Sequence, residues 1–265
     1  VLEEILVVVK GGGDLATGVA HRLHRAGMKV IITELPKPTV IRREVAFASA
    51  IFEGEVEVEG VVARFVESAS CALEMLEEGI IPVLVDPKAS IVRELGPTVV
   101  VDCIMAKRNT GTSITDARVV IAIGPGFVAG VDCHAVVETA RGHNLGRVIL
   151  SGSAEPSTGV PAPVMGYTTE RVLRAPCDGV FVGERRIGEM VEAGEVVARI
   201  GEEPVKARIR GVLRGLLADG IEVREGMKVG DVDPRGVREH CFTISDKARA
   251  VGGGVLEAIL FLLRG

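Results

Sequence analysis

The sequence predicts an α/β chain in which a doubly wound parallel sheet is followed by a smaller, β-rich module. Three observations carry that prediction. Short, almost purely apolar runs recur through the first 150 or so positions, a glycine-rich turn follows the first of them, and a block of the C-terminal half recurs 32 positions later.

The runs are ILVVV (5–9), VIIT (30–33), IIPVLV (80–85), TVVV (98–101), RVVIAI (118–123) and RVILS (147–151), each ended by a Gly, Pro or Asp break. A strand that is apolar on both faces is buried from both sides, which is what a parallel sheet between layers of helix requires. Residues 15–26 and 70–78 have helical spacing. Residues 52–66 alternate apolar and polar, the pattern of an antiparallel edge hairpin.

After about residue 168 the pattern changes to short strands and closely spaced glycines. Gly179, Gly183, Gly188, Val191 and Gly194 recur without a gap as Gly211, Gly215, Gly220, Val223 and Gly226. Two such β arms, each ending in a V-x-x-G turn, predict a barrel-sandwich module of the biotinyl/lipoyl type. The boundaries read as 1–167 for the sheet domain, 168–240 for the module and 241–265 for a C-terminal helix docked on the first domain. Lys206 lies between the arms but lacks a Met-Lys-Met or Asp-Lys-Ala setting, so neither covalent biotin nor lipoyl is expected.

Composition narrows the partners. A net charge of -5, no Trp, one Tyr and seven Phe leave neither a cationic field nor stacking platforms for nucleic acid. The five cysteines are odd in number and contain no C-x-x-C pair, which fits a reducing compartment rather than a disulfide framework or a zinc site. The first apolar run stops at Lys10, far short of the roughly 20 residues of a membrane span, and has no basic flank or cleavage site. A cytoplasmic protein without a membrane partner is expected.

The sharpest local motif is VVVKGGGDLATG (7–18). Gly11, Gly13 and Ala16 fit G-x-G-x-x-[GA] between a buried strand and an amphipathic helix, which makes the first domain Rossmann-like and points to a nucleotide or dinucleotide. In that reading Gly11, Gly12, Gly13, Asp14, Leu15 and Ala16 form the phosphate turn at a helix N-terminus. Glu34, at the end of the second strand, would accept a ribose hydroxyl. A glycine turn of purely structural purpose is the alternative, and Asp14 favours it by offering the helix its own carboxylate.

A second candidate is VDCIMAKRNTGTS (101–113), whose Asp102, Lys107, Arg108, Asn109, Thr110, Gly111 and Thr112 supply the cations, amide and hydroxyls of an oxyanion cradle; a solvated loop is the bland alternative. Asp86 and the IGPGF loop (123–127) would share its rim. Asp102–Cys103 and Asp132–Cys133–His134 invite a thiol mechanism, yet neighbours on a strand face opposite ways, so the cysteines read as apolar filler. The five histidines show no metal spacing, and no metal is expected.

KGGGDLATGVAHRL (10–23), MAKRNTGT (105–112), HAVVETARGHNLGRVI (134–149), RVLRAPCDGVF (171–181), VGDVDPR (229–235) and ISDKARAVGGGVLEAIL (244–260) resemble the YqeB family of selenium-dependent molybdenum hydroxylase system proteins. The resemblance runs from about residue 5 to the C-terminus. It implies an accessory or maturation factor whose protein partner is a molybdenum hydroxylase, with a Rossmann-type domain and a biotinyl-like barrel, and it carries over no catalytic residue. The ligand expected is NAD, another dinucleotide or a molybdopterin nucleotide, on the rim formed by residues 11–16, 34 and 102–112. Two rivals stand beside it: an NAD-dependent oxidoreductase using Lys107 or His134 as proton donor, and a docking scaffold without catalysis.

Overall fold

The computed structural model describes residues 2–264, which form two compact units of a mixed α/β chain. The larger unit takes residues up to 38, 46–158 and from 244 on. The smaller takes 39–45 and 159–243. The boundaries expected at 167/168 and 240/241 lie instead at 158/159 and 243/244, and the upstream segment 39–45 also belongs to the smaller unit.

The larger unit is built on one sheet. Its strands are β1 (Leu6–Lys10), β2 (Lys29–Glu34), β3 (Glu55–Val58), β4 (Val61–Val66), β5 (Ile81–Val85), β6 (Val99–Asp102), β7 (Val119–Ile123), β8 (Ala135–Val137) and β9 (Val148–Ile149). They lie in the order β3-β4-β5-β2-β1-β6-β7-β8-β9. All neighbours are parallel except the two edge pairs, β3 with β4 and β8 with β9. The hairpin expected over 52–66 exists over 55–66, Phe52 and Glu53 being helical, and its second strand joins the parallel sheet through β5. The 147–151 run shrinks to the half-buried edge pair of β9. Strand β8 is new: its AVV is too short to register as a run of its own.

Val8, Ile31, Val100 and Val120 look toward helices α3 (Ala69–Glu77) and α4 (Ile91–Leu95), which follow the short α2 (Ala50–Glu53). On the opposite face α1 (Asp14–Arg25) packs beside α5 (Asp246–Leu262). The two helices meet through small residues. A Cβ on Gly252 would lie 2.6 Å from the carbonyl oxygen of Gly18, and one on Gly254 would lie 2.2 Å from that of Gly146. This explains Gly252 and Gly254 inside a helix, where each glycine otherwise costs about 1 kcal/mol relative to alanine; Gly253 has no such close contact. No helix separates β6 from β7 or β7 from β8. There Phe127, Ala129, Cys133 and Ala154 cover the sheet from loops.

The smaller unit contains two four-stranded antiparallel sheets around one apolar core. Its strands are β10 (Val172–Arg174), β11 (Gly179–Gly183), β12 (Met190–Val191), β13 (Val196–Ile200), β14 (Glu203–Lys206), β15 (Gly211–Leu216), β16 (Glu222–Val223) and β17 (Lys228–Asp233). One sheet runs β10-β17-β15-β12 and the other β14-β13-β11-β16. The 32-residue repeat is the internal symmetry of this unit: β11, β12 and β13 recur as β15, β16 and β17. Gly179 pairs with Val223 while Val191 pairs with Gly211, so each arm lends its short middle strand to the other arm's sheet. The segment 39–45 adds to the second arm, where Leu216 N–H donates to the Ile41 carbonyl at 2.7 Å and Arg43 Nε to the Leu216 carbonyl at 2.9 Å. The buried carboxylates of VGDVDPR are neutralised internally, Asp231 by Arg171 at 2.7 Å and Asp233 by Arg235 at 2.6 Å.

Candidate functional site

Strand β1 is followed outward on one side by β2 and β5, after which the chain returns to pair β6 on its other side. An open sheet binds ligands where such a reversal separates the carboxyl ends of two neighbouring strands. Here those ends are Lys10 and Asp102, partners in the β1–β6 register. Both side chains are buried, and both follow the parity of Val8 and Val100, toward α4.

Lys10 Nζ donates to Thr112 Oγ1 at 2.5 Å, and that hydroxyl donates to Asp102 Oδ2 at 2.6 Å. The ammonium itself stands 3.8 Å from the carboxylate. The other oxygen of Asp102 accepts from Ile104 N–H at 3.1 Å. Thr112 is held by Asn109, whose Oδ1 accepts from the backbone of Gly111 and Thr112 and whose Nδ2 donates to the Thr112 carbonyl. Such an Asx-type turn is the usual way a short polar side chain fixes a loop.

Above Lys10 opens a cavity of about 210 Å³, lined also by Lys88, Ser90, Val92, Arg93, Gly111 and Asp116. Three cations face it, Lys10 already paired with Asp102 beneath, against one lining carboxylate. Lys88 and Arg93 are exposed and form no salt bridge among the described residues. A buried cation at the base with two solvated ones at the mouth attracts an anion and supplies charge-assisted donors to its oxygens.

The glycine turn lies at the same crossover, on the α1 side. The chain itself engages the polar groups of Gly12, the middle residue of the turn. Gly12 N–H donates to Glu34 Oε1 at 2.8 Å, and the Gly12 carbonyl accepts from Ala48 N–H at 2.9 Å. The second Glu34 oxygen accepts from Leu35 N–H at 2.7 Å. Burial pushes the Glu34 carboxyl above its ordinary pKa, although the two N–H donors pull it down. Ala48 lies so close that a Cβ on Gly12 would be 2.9 Å from its backbone nitrogen. Phe47 N–H donates to Thr17 Oγ1, tying the same segment to the first turn of α1.

The remaining predicted residues divide accordingly. Leu15 and Ala16 are buried, and Gly13 is the N-cap of α1. Lys107, Arg108 and Thr110 are exposed on the loop after β6, where Met105 and Lys107 both take left-handed backbone. That loop rests on the 123–127 turn, since a Cβ on Gly126 would be 2.5 Å from Arg108 N. Asp86 serves its own loop by accepting from Ile91 N–H. His134 Nδ1 accepts from Val120 N–H and is tied to the sheet. Burial raises both thiols, Cys133 to about 11 and Cys103 well above its ordinary value, which suits filler better than a nucleophile. Among the described residues no cluster could hold a metal, and no helix is long and apolar enough to cross a membrane.

Lys10, Lys88, Arg93 and Asp116 belong to no candidate site that the sequence suggests. Lys10 looked like the polar end of an apolar run. Its pairing with Asp102 depends on a strand register across 92 positions, so the one signal in the sequence is a lysine placed directly before the glycines.

Over 258 residues, 97% of its length, the chain is 55% identical to the uncharacterized protein YqeB of Escherichia coli (strain K12). That similarity supports the YqeB family. The chain spans about half the length of this curated relative, 48%. No family model matches the chain. Solved structures with partial likeness include the ectoine utilization protein EutE (DoeB) of Ruegeria pomeroyi in a product-bound form, at 12% identity, TM-score 0.24 and coverage of 85% of this chain and 56% of that one. An aspartoacylase family protein of Mesorhizobium loti has 8% identity and TM-score 0.28, covering 86% and 84%. TcdA (CsdL) has 13% identity and TM-score 0.32, covering 100% and 90%. Likeness at that level leaves the function to be read from the site.

Proposed function

We propose that the chain binds a phosphate-bearing ligand at the carboxyl-end rim of its large sheet and acts as an accessory or maturation factor for selenium-dependent molybdenum hydroxylases. The observation that carries the ligand is the cavity over Lys10, with Lys88 and Arg93 at its mouth, at the crossover between β1 and β6. Crossover position, strand order and the glycine turn support reading the larger unit as Rossmann-like. The reciprocal pairing of the two repeats supports reading the smaller unit as a barrel-sandwich module, with docking of the target enzyme as its role. The maturation role rests on the motifs shared with the YqeB family and on the likeness to YqeB.

Native mass spectrometry of the purified protein, followed by denaturation and identification of what is released, tests the ligand. The expected result is a bound phosphate compound whose occupancy falls in a Lys88→Ala, Arg93→Ala variant. An empty protein that shows no thermal shift with inorganic phosphate, NAD or a molybdopterin nucleotide would overturn the binding site. Co-purification with a molybdenum hydroxylase tests the accessory role separately.

A further inference from the structure

We infer that the ligand of this site is a compact phosphomonoester, entering on the α4 side over Lys10, and not a dinucleotide laid across the glycine turn. The inference rests on the binding proposed above and names its chemical class. Two independent observations carry it. A pyrophosphate lying on the glycine turn needs backbone N–H groups and an open surface over them. In this chain the Gly12 N–H is bound to Glu34, and Ala48 lies so close to Gly12 that even a Cβ there would meet its backbone. At Gly12, the middle of the turn, the space is filled by protein.

The second observation is the space on the other side. At about 210 Å³ the cavity is below the roughly 300–1,000 Å³ of sites that take drug-sized ligands. It accommodates a phosphoryl group with a few carbon atoms, whereas a dinucleotide would leave most of its length outside. The charge fits the same class. Lys10, Lys88 and Arg93 reach the cavity from β1, the 86–90 loop and α4, and Ser90 adds a hydroxyl. A dianion with three terminal oxygens can meet cations from three directions, which a monoanionic carboxylate cannot. Asp116 lines the wall as an acceptor for a hydroxyl on the organic part.

Titration calorimetry of the full chain with glycerol 3-phosphate, inorganic phosphate, succinate and NAD tests the inference. Glycerol 3-phosphate and phosphate are expected to bind, more weakly as salt rises, with succinate and NAD at least about tenfold weaker. Lys88→Ala and Arg93→Ala, both at exposed positions, should each weaken phosphate binding by about tenfold or more, the loss expected for one charge-assisted contact. NAD or succinate binding as tightly as glycerol 3-phosphate overturns the inference while leaving the site in place, provided the two variants still weaken it. If no anion binds, the site itself falls.

Discussion

Two neighbouring surfaces of one strand end make the instructive comparison. Residues 11–13 turn toward α1, and Lys10, one residue earlier, turns toward α4. The glycine side carries the dinucleotide-type motif and is closed at Gly12 by Glu34 and Ala48. The lysine side, where only Asp102, Gly111 and Thr112 come from a motif, stays open, with a buried cation under a cavity. A glycine turn thus says that backbone must be approached closely; whether a ligand or the chain makes the approach is decided elsewhere in the sequence. Here a segment more than thirty residues downstream makes it.

The comparison would break most visibly at Asp102. Replacing it by Ala leaves Lys10 buried with only the Thr112 hydroxyl, and removing one partner of a buried pair costs about 3–5 kcal/mol. Urea denaturation is expected to show that loss, and adding Lys10→Met to Asp102→Ala should recover more than half of it. A loss below about 1 kcal/mol in the single variant would mean that water reaches Lys10 freely and that the buried charge is not what distinguishes this side.

Gly12→Ala probes the closed side. The new Cβ meets the backbone nitrogen of Ala48, which cannot rotate away, so a cost of about 1–3 kcal/mol is expected, as for overpacking elsewhere. The same change is expected to leave phosphate affinity unaltered, because the cavity is on the other face. Loss of binding with no loss of stability would mean that the turn is open to ligands in solution.

The contrast also marks what the residues disclose by themselves. Central strands were legible because parallel strands buried on both faces must be apolar throughout, as VVV at 7–9 and 99–101 are. The arms of the smaller unit were legible because their symmetry is written at a fixed spacing, and Gly179 and Gly211 hold equivalent places. Strand β8 was hidden, since three apolar residues after Asp132, Cys133 and His134 drew attention to chemistry rather than pairing. Asn109 and Thr112 were recognised as polar loop residues, but that Asn109 fixes the turn while Thr112 bridges Lys10 and Asp102 follows only from the folded loop. The cationic cavity combines β1, the 86–90 loop and residues 111–116, which no local spacing connects.

The smallest expected effect gives the most specific test of how the glycine turn is closed. At Glu34 two influences oppose each other: burial favours the neutral acid, and two backbone N–H donors favour the carboxylate, with burial the larger. The folded state therefore holds the Glu34 proton more tightly than the unfolded chain, whose glutamates titrate near about 4.3. As pH rises from there to the raised folded-state pKa, the unfolded chain binds fewer protons than the folded one, so this group lowers stability across the window and adds no further slope above it. Glu34→Gln keeps a neutral side chain and removes the slope. Its stability at acid pH is expected to lie within about 1 kcal/mol of the parent, the scale of one hydrogen bond, and to improve relative to the parent as pH rises to neutrality. Denaturant midpoints at half-unit steps from pH 4 to 7 measure it. A variant that instead loses ground with rising pH would show the N–H bonds outweighing burial, and the turn would then be held by a charged clasp that a competing phosphate could displace.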